Sequence, residues 1–112
     1  METKKPFFIE LNDASEYQRL LPGAPATYGM KSGRVYLEPG AECGQHSTKE
    51  NEEQLVFLEG EGSATIAEET MPVGKGKIVY IPPETVHNIK NTGGEPLIYI
   101  FCVAQARQEN TG

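Results

Sequence analysis

Glycine and proline divide most of this chain into segments too short for helices, and this punctuation constrains the fold more than any other feature. Turn signals such as Ser32-Gly33, Pro39-Gly40, Pro82-Pro83 and Gly93-Gly94 separate short apolar or alternating runs. We predict strands at 27–31, 34–38, 42–48, 53–58, 63–67, 70–73, 77–81, 85–90 and 97–103. Many short strands joined by such turns indicate an all-β sandwich or barrel.

The first 25 residues have a different pattern. The aromatic run at 6–11, PFFIEL, predicts an edge strand or a strand bound to a partner. Asp13 followed by Glu16 resembles a capping box, so we predict a short helix over 13–20 that ends before Pro22. The chain is therefore divided into an N-terminal strand and connector (1–25) associated with a dimer, a barrel (26–105) and a polar tail (106–112).

The last predicted strand is apolar on both faces. Its sequence, PLIYIFCVA, lacks the alternation of a strand that has one side in water. In a single small barrel the second face needs a cover, and we expect a homodimer to provide it.

Both histidines of the chain lie within residues 39–91, each in a strand-like segment. His46 and Thr48 are two residues apart, so on one strand they share a face. His87 lies in the other segment. One histidine alone would be explained as a hydrogen-bonded interior residue, and that alternative remains open for the pair.

A carboxylate follows the first histidine after a short acidic turn. Glu53 has the same strand parity as Leu55 and Phe57, which indicates a carboxylate at the mouth of an apolar interior. Such a carboxylate is costly to bury unless it is protonated or bound to a cation. We therefore predict a metal site formed by His46, Glu53 and His87. This donor set suits a divalent transition metal, Fe, Mn, Ni or Zn, and leaves coordination positions open.

Neighbouring side chains fit the site less well. Thr48 is either a weak ligand or, as we favour, a pocket-lining residue that forms hydrogen bonds. Cys43 is three residues before His46, so on a regular strand it faces away from the histidine. Gln45 and Glu52 have the wrong parity. No parity argument places a particular tyrosine beside the metal.

At these residues the chain resembles the cupin family, in particular its small single-domain members. Gly40, His46, Glu53 and Gly60 match the family's first motif, with Thr48 where a second histidine is expected. The second motif is matched by the positions that follow: Gly76, Pro82, His87 and Asn91, with Glu84 replacing a glycine. The resemblance implies a jelly-roll β-barrel and, since small cupins are commonly dimers, supports the homodimer.

Composition limits the partners. A net charge of −6 and a pI near 4.9 argue against nucleic acid, whose phosphates attract basic surfaces. No apolar run approaches the roughly 20 residues that span a bilayer, so no membrane partner is expected. Two cysteines and no evident secretion signal favour the cytoplasm.

The resemblance leaves two functions open. The first is a metal-dependent cupin that binds or transforms a small oxygen-rich molecule as a dioxygenase, isomerase or decarboxylase. The alternative is a non-catalytic cupin that binds a small ligand and has a weakened or lost metal site. Because no independent general acid can be named, the sequence does not decide whether the chain is an enzyme.

Overall fold

A computed structural model describes residues 3–107, and all regular structure in that part of the chain is β. The strands are β1 (Gln18–Pro22), β2 (Lys31–Leu37), β3 (His46–Ser47), β4 (Asn51–Glu59), β5 (Glu61–Ile66), β6 (Glu69–Gly74), β7 (Ile78–Ile81), β8 (Val86–Asn91) and β9 (Leu97–Gln105). The predicted all-β jelly roll is confirmed. The six predicted strands from 53 onward match the observed ones within two residues at each end. Glycine or proline stands at the end of β4, β6 and β7 or directly after it.

The strands form two antiparallel sheets. The five-stranded sheet has the order β1-β2-β9-β4-β7, and the four-stranded sheet has the order β3-β8-β5-β6. Chain-adjacent strands such as β7 and β8 therefore lie in different sheets, as in a jelly roll. This arrangement places the two predicted histidines in one sheet and Glu53 in the other.

The core lies between the two sheets. Along β4, Glu53, Leu55 and Phe57 are buried while Gln54 is exposed, which is the alternation of a strand with one face inward. Leu97 and Tyr99 of β9, with Ile89 of β8, complete the centre. Full burial of a leucine or phenylalanine contributes about 1.5–3 kcal/mol, so these few positions supply much of the driving force.

Backbone packs on backbone where β4 turns into β5. A Cβ atom added to Gly60 would collide with the backbone of Pro96 and Leu97, and one added to Gly62 would collide with the carbonyl of Lys90. Gly60 also has a φ of 87°, which side chains rarely adopt. Only glycine fits these positions.

Asn91 fastens the same end of the barrel. Its side chain is buried, and its Nδ2 donates to the carbonyls of Leu37 at 2.9 Å and Glu95 at 2.8 Å, while Oδ1 accepts from Gly93 N–H at 2.9 Å. All three partners are backbone groups, so the buried amide ties the end of β2 to the loop between β8 and β9.

The N-terminal region departs from expectation. Residues 6–11 do not form a strand, and residues 13–20 do not form a helix. The cap signal at Asp13 is overridden because Gln18–Pro22 pairs with β2 instead. Arg34, buried on the outer face of β2, holds the preceding segment by donating to Ala14 O at 3.0 Å.

Two further predicted strands are shorter than expected. Of the predicted strand 27–31, only Lys31 belongs to a strand, as the first residue of β2. Segment 42–48 contains an isolated bridge at Glu42 and the two residues of β3. Gly44, with a φ of 98°, interrupts this segment. Of the predicted polar tail 106–112, residues 108–112 lie outside the described residues. Within residues 3–107, no helix has the length and apolar character needed to cross a membrane.

Candidate metal centre

The three predicted ligands lie together at the end of the barrel opposite Gly60. His46 of β3 is the direct cross-strand partner of His87 of β8, with ring centroids 4.2 Å apart. Glu53 approaches from the facing sheet on β4. One ligand atom from each residue lies within 4.8 Å of the others, which is close enough for all three to hold one ion.

Local backbone contacts orient both imidazoles. Nδ1 of His46 lies 2.8 Å from Gly44 O, and Nδ1 of His87 lies 3.1 Å from Thr85 O. A carbonyl only accepts, so each Nδ1 carries a proton and, in the neutral ring, the lone pair is on Nε2. This is the arrangement in which a metal-binding histidine is held by a hydrogen bond from its other nitrogen.

Nε2 of His87 is buried and has no hydrogen-bond partner among the described residues. The nearest charged group is Glu53, whose Oε1 lies 3.5 Å away. Buried polar atoms are normally paired, so this atom requires either a proton shared with the carboxylate or a cation between the two groups. The donor set therefore fits a divalent metal.

Electrostatics at His87 favour positive charge. Burial of the ring lowers the pKa of His87, but attraction to the Glu53 carboxylate and the bond to Thr85 O outweigh it, so the pKa lies above its usual value. The same carboxylate would attract a metal ion to Nε2, and that ion would have to displace the proton there.

The three residues open onto a cavity of about 270 Å³ between the sheets. His46 is exposed and lies at its mouth, whereas Glu53 and His87 are buried. The cavity is lined by Val35, Cys43, His46, Ser47, Thr48, Asn51, Glu53, Leu55, His87, Ile89, Tyr99, Phe101 and Val103. Its walls beyond the proposed ligands are largely apolar.

Thr48 lines the cavity but its hydroxyl is already engaged. Oγ1 donates to Pro82 O at 2.8 Å and accepts from Thr85 N–H at 3.0 Å. These contacts connect the turn after β3 to the loop that leads into β8 and His87. Thr48 is therefore the hydrogen-bonding, pocket-lining residue that we favoured.

The loop before β8 also explains the second departure from the cupin motif. Glu84 has a φ of 55°, in the left-handed region where the family has glycine. Its N–H donates to Lys49 O at 2.8 Å. Compared with glycine, a residue with a side chain destabilises this backbone conformation by roughly 1–2 kcal/mol, so the turn forms here with lower stability.

Sequence reasoning missed the two ionisable residues that line the cavity beside the proposed ligands, Cys43 and Tyr99. Cys43 was expected to face away, but it lines the cavity because the chain around Gly44 is not a regular strand; its Sγ accepts from Ile89 N–H at 3.3 Å. Tyr99 also lines the cavity. Burial raises the pKa of the Tyr99 phenol, and nearby Cys43 and Glu53 raise it further, so the phenol keeps its proton.

The protein is a barrel of two antiparallel sheets that brings two histidines and a carboxylate together at one end. A family model for the cupin domain matches residues 33–103, and the chain belongs to the cupin family. An uncharacterized protein of Methanocaldococcus jannaschii is 40% identical over 101 residues, which cover 88% of this chain and 78% of that protein.

Two other relatives differ in how much they share. Glucose-6-phosphate isomerase of Pyrococcus abyssi is 35% identical over 60 residues, which cover 49% of this chain but only 32% of the isomerase. Among solved structures, an RmlC-like cupin family protein of Methanocaldococcus jannaschii superposes with a TM-score of 0.75 at 19% identity, covering 93% of this chain and 94% of that one. The latter likeness concerns the fold alone.

Proposed function

We propose that His46, Glu53 and His87 hold one divalent transition metal, Fe, Mn, Ni or Zn, and that the chain uses it to bind or transform a small oxygen-rich molecule. The observation that carries this proposal is the buried Nε2 of His87, which lacks a partner and lies 3.5 Å from a buried carboxylate. Three protein ligands leave coordination positions free for such a molecule.

When bound, the metal would supply Lewis acidity toward substrate oxygens or a site for dioxygen activation. The chain's own residues prepare the place. The carbonyls of Gly44 and Thr85 orient the two imidazoles, and apolar side chains line much of the cavity. Isomerase, dioxygenase and decarboxylase chemistry all fit this arrangement. The partial match to glucose-6-phosphate isomerase supports the first, although it covers about a third of that protein.

A non-catalytic binding protein is the second candidate. Among the described cavity residues, the ionisable groups outside the proposed ligands are Cys43 and Tyr99. Tyr99 keeps its proton because its pKa is raised, so it is not poised to act as a general base. The cavity would then hold a small ligand without converting it.

The outer surface supports a homodimer. Ile98 and Ile100 on the outer face of β9 are only half-buried, and Phe8 in the N-terminal arm, residues 3–14, is 84% exposed. A second copy would cover these apolar side chains. The two free cysteines and the net charge of −6 agree with a cytoplasmic protein that has neither nucleic acid nor membrane partners.

Elemental analysis of the purified protein and of His87→Ala tests the metal site. We expect about one metal ion per wild-type chain and much less in the variant. Loss of a residue that only supports a ligand lowers metal affinity by roughly 10- to 100-fold, and loss of one of the three ligands should lower it further. Lys90→Ala, an exposed change on the same strand, is the matched control and should keep its metal. Equal metal content in wild type and His87→Ala would contradict the proposal.

A further inference from the structure

The cavity has a charge balance that selects its ligand. The residues that line it include the carboxylate of Glu53 but neither lysine nor arginine. A divalent ion with neutral His46 and His87 and ionised Glu53 would carry a single net positive charge. One further negative charge neutralises the centre, whereas a doubly charged ligand leaves an excess negative charge inside an apolar wall, which is costly.

Apolar side chains from both sheets line the cavity around the proposed ligands, together with the polar residues Ser47, Thr48 and Asn51. Val35, Phe101 and Val103 belong to the five-stranded sheet, and Ile89 belongs to the four-stranded sheet. A ligand anchored at the metal therefore extends its remaining atoms against hydrocarbon. An alkyl group gains free energy there, and a second carboxylate or a phosphate loses its hydration without a cationic partner.

The volume limits the size of the ligand. The cavity measures about 270 Å³, and a water occupies about 30 Å³ in the liquid, so there is space for about nine water-sized atoms. This is just below the roughly 300 Å³ at which pockets for drug-sized ligands begin. A compact molecule with two coordinating oxygens and a short branched tail matches the space.

Resting on the proposed metal site, we propose that the preferred ligand is a compact monocarboxylate with an adjacent oxo or hydroxyl oxygen and an apolar tail. Its two oxygens occupy the open coordination positions, and its tail packs on Val35, Ile89 and Phe101. A phosphorylated sugar is disfavoured because its dianionic phosphate finds no lysine or arginine in the cavity lining. This chain thereby differs in substrate class from what the name of its isomerase relative suggests.

A matched pair of 2-oxo acids tests this inference. 4-Methyl-2-oxopentanoate and 2-oxoglutarate share the chelating head and have similar length, but the first ends in an isopropyl group and the second in a carboxylate. We expect the first to bind the Mn(II)-loaded protein at least tenfold more tightly by isothermal titration calorimetry. Glucose 6-phosphate, titrated in the same way, should bind more weakly than either.

A charge placed on the wall should reverse the preference. In Val35→Lys the ammonium group enters the cavity beside the tail, so 2-oxoglutarate should bind more tightly than 4-methyl-2-oxopentanoate. Gln54→Lys adds the same charge at an exposed, outward-facing position of β4 and should leave the wild-type preference unchanged. Circular dichroism establishes that each variant is folded, and the wild-type pair decides the matter if Val35→Lys is not.

The outcomes separate this inference from the proposal beneath it. If wild-type protein holds metal but binds the two acids equally, or binds 2-oxoglutarate more tightly, the ligand class is wrong while the metal site stands. If elemental analysis finds no metal in protein reconstituted with Mn(II), the metal site itself fails, and the ligand class fails with it.

Discussion

On the inner face of the five-stranded sheet, Leu55 and Phe57 are each only 1% exposed, whereas Ile98 and Ile100 on its outer face are half-buried. The inner face packs against the other sheet of the same chain. On the outer face Arg34 contacts the N-terminal arm at the carbonyl of Ala14, and in that arm Phe8 is 84% exposed.

The difference separates the apolar surface that a single chain buries by itself from the apolar surface that it leaves accessible to water. The core and the three proposed ligands are brought together entirely by contacts within the chain. The outer face, by contrast, keeps apolar surface that a second copy would remove from water. Changes to the inner face should therefore act on the isolated chain, and changes to the arm should act only where two chains meet.

The largest effect is expected from Phe57→Ala. The side chain is buried among core residues of both sheets, and its removal leaves a cavity, so the free energy of unfolding should fall by about 3–5 kcal/mol. Urea denaturation measures this change. The control Val56→Ala, at a half-buried outward position of the same strand, should cost clearly less. Similar losses in both variants would break the comparison between the faces.

An intermediate effect is expected from Thr48→Ala. The change leaves Thr85 N–H and Pro82 C=O without their partner in a buried setting, which should cost about 1–3 kcal/mol. Thr48→Ser keeps the hydroxyl and should stay close to wild type. Thermal denaturation at a single protein concentration distinguishes the two variants. If Thr48→Ala were as stable as Thr48→Ser, the inner region would depend on apolar packing alone.

The smallest effect is expected from Phe8→Ser. In the isolated chain the exposed ring contributes little, so stability at high dilution should change by no more than about 0.5 kcal/mol. Native mass spectrometry across a dilution series should show that the variant dimerises less than wild type. An unchanged dimer population would show that Phe8 does not contribute to the interface, and the outer face of β9 would then be the remaining candidate.

Local patterns were enough to predict much of this fold. Alternation at Glu53, Leu55 and Phe57 gave the correct inward face, because strand parity depends only on neighbouring residues. The helix predicted after Asp13 was wrong because pairing of β1 with β2, a contact distant in sequence, overrides a short cap signal.

The proposed site was only partly predictable for the same reason. His46, Glu53 and His87 carried a spacing signal, and the structure brings them together. Cys43 and Tyr99 carried none, since the position of Cys43 depends on the left-handed backbone at Gly44 and that of Tyr99 on the register of β9 against β4. Once that register is known, alternation along β9 is enough to find Tyr99.

The cavity is lined on its inner side by the core residues Leu55, Ile89 and Tyr99, whereas the exposed His46 lies at its mouth. We therefore expect small molecules to exchange past His46, so a side chain proposed to hold the metal would also stand on the route of entry.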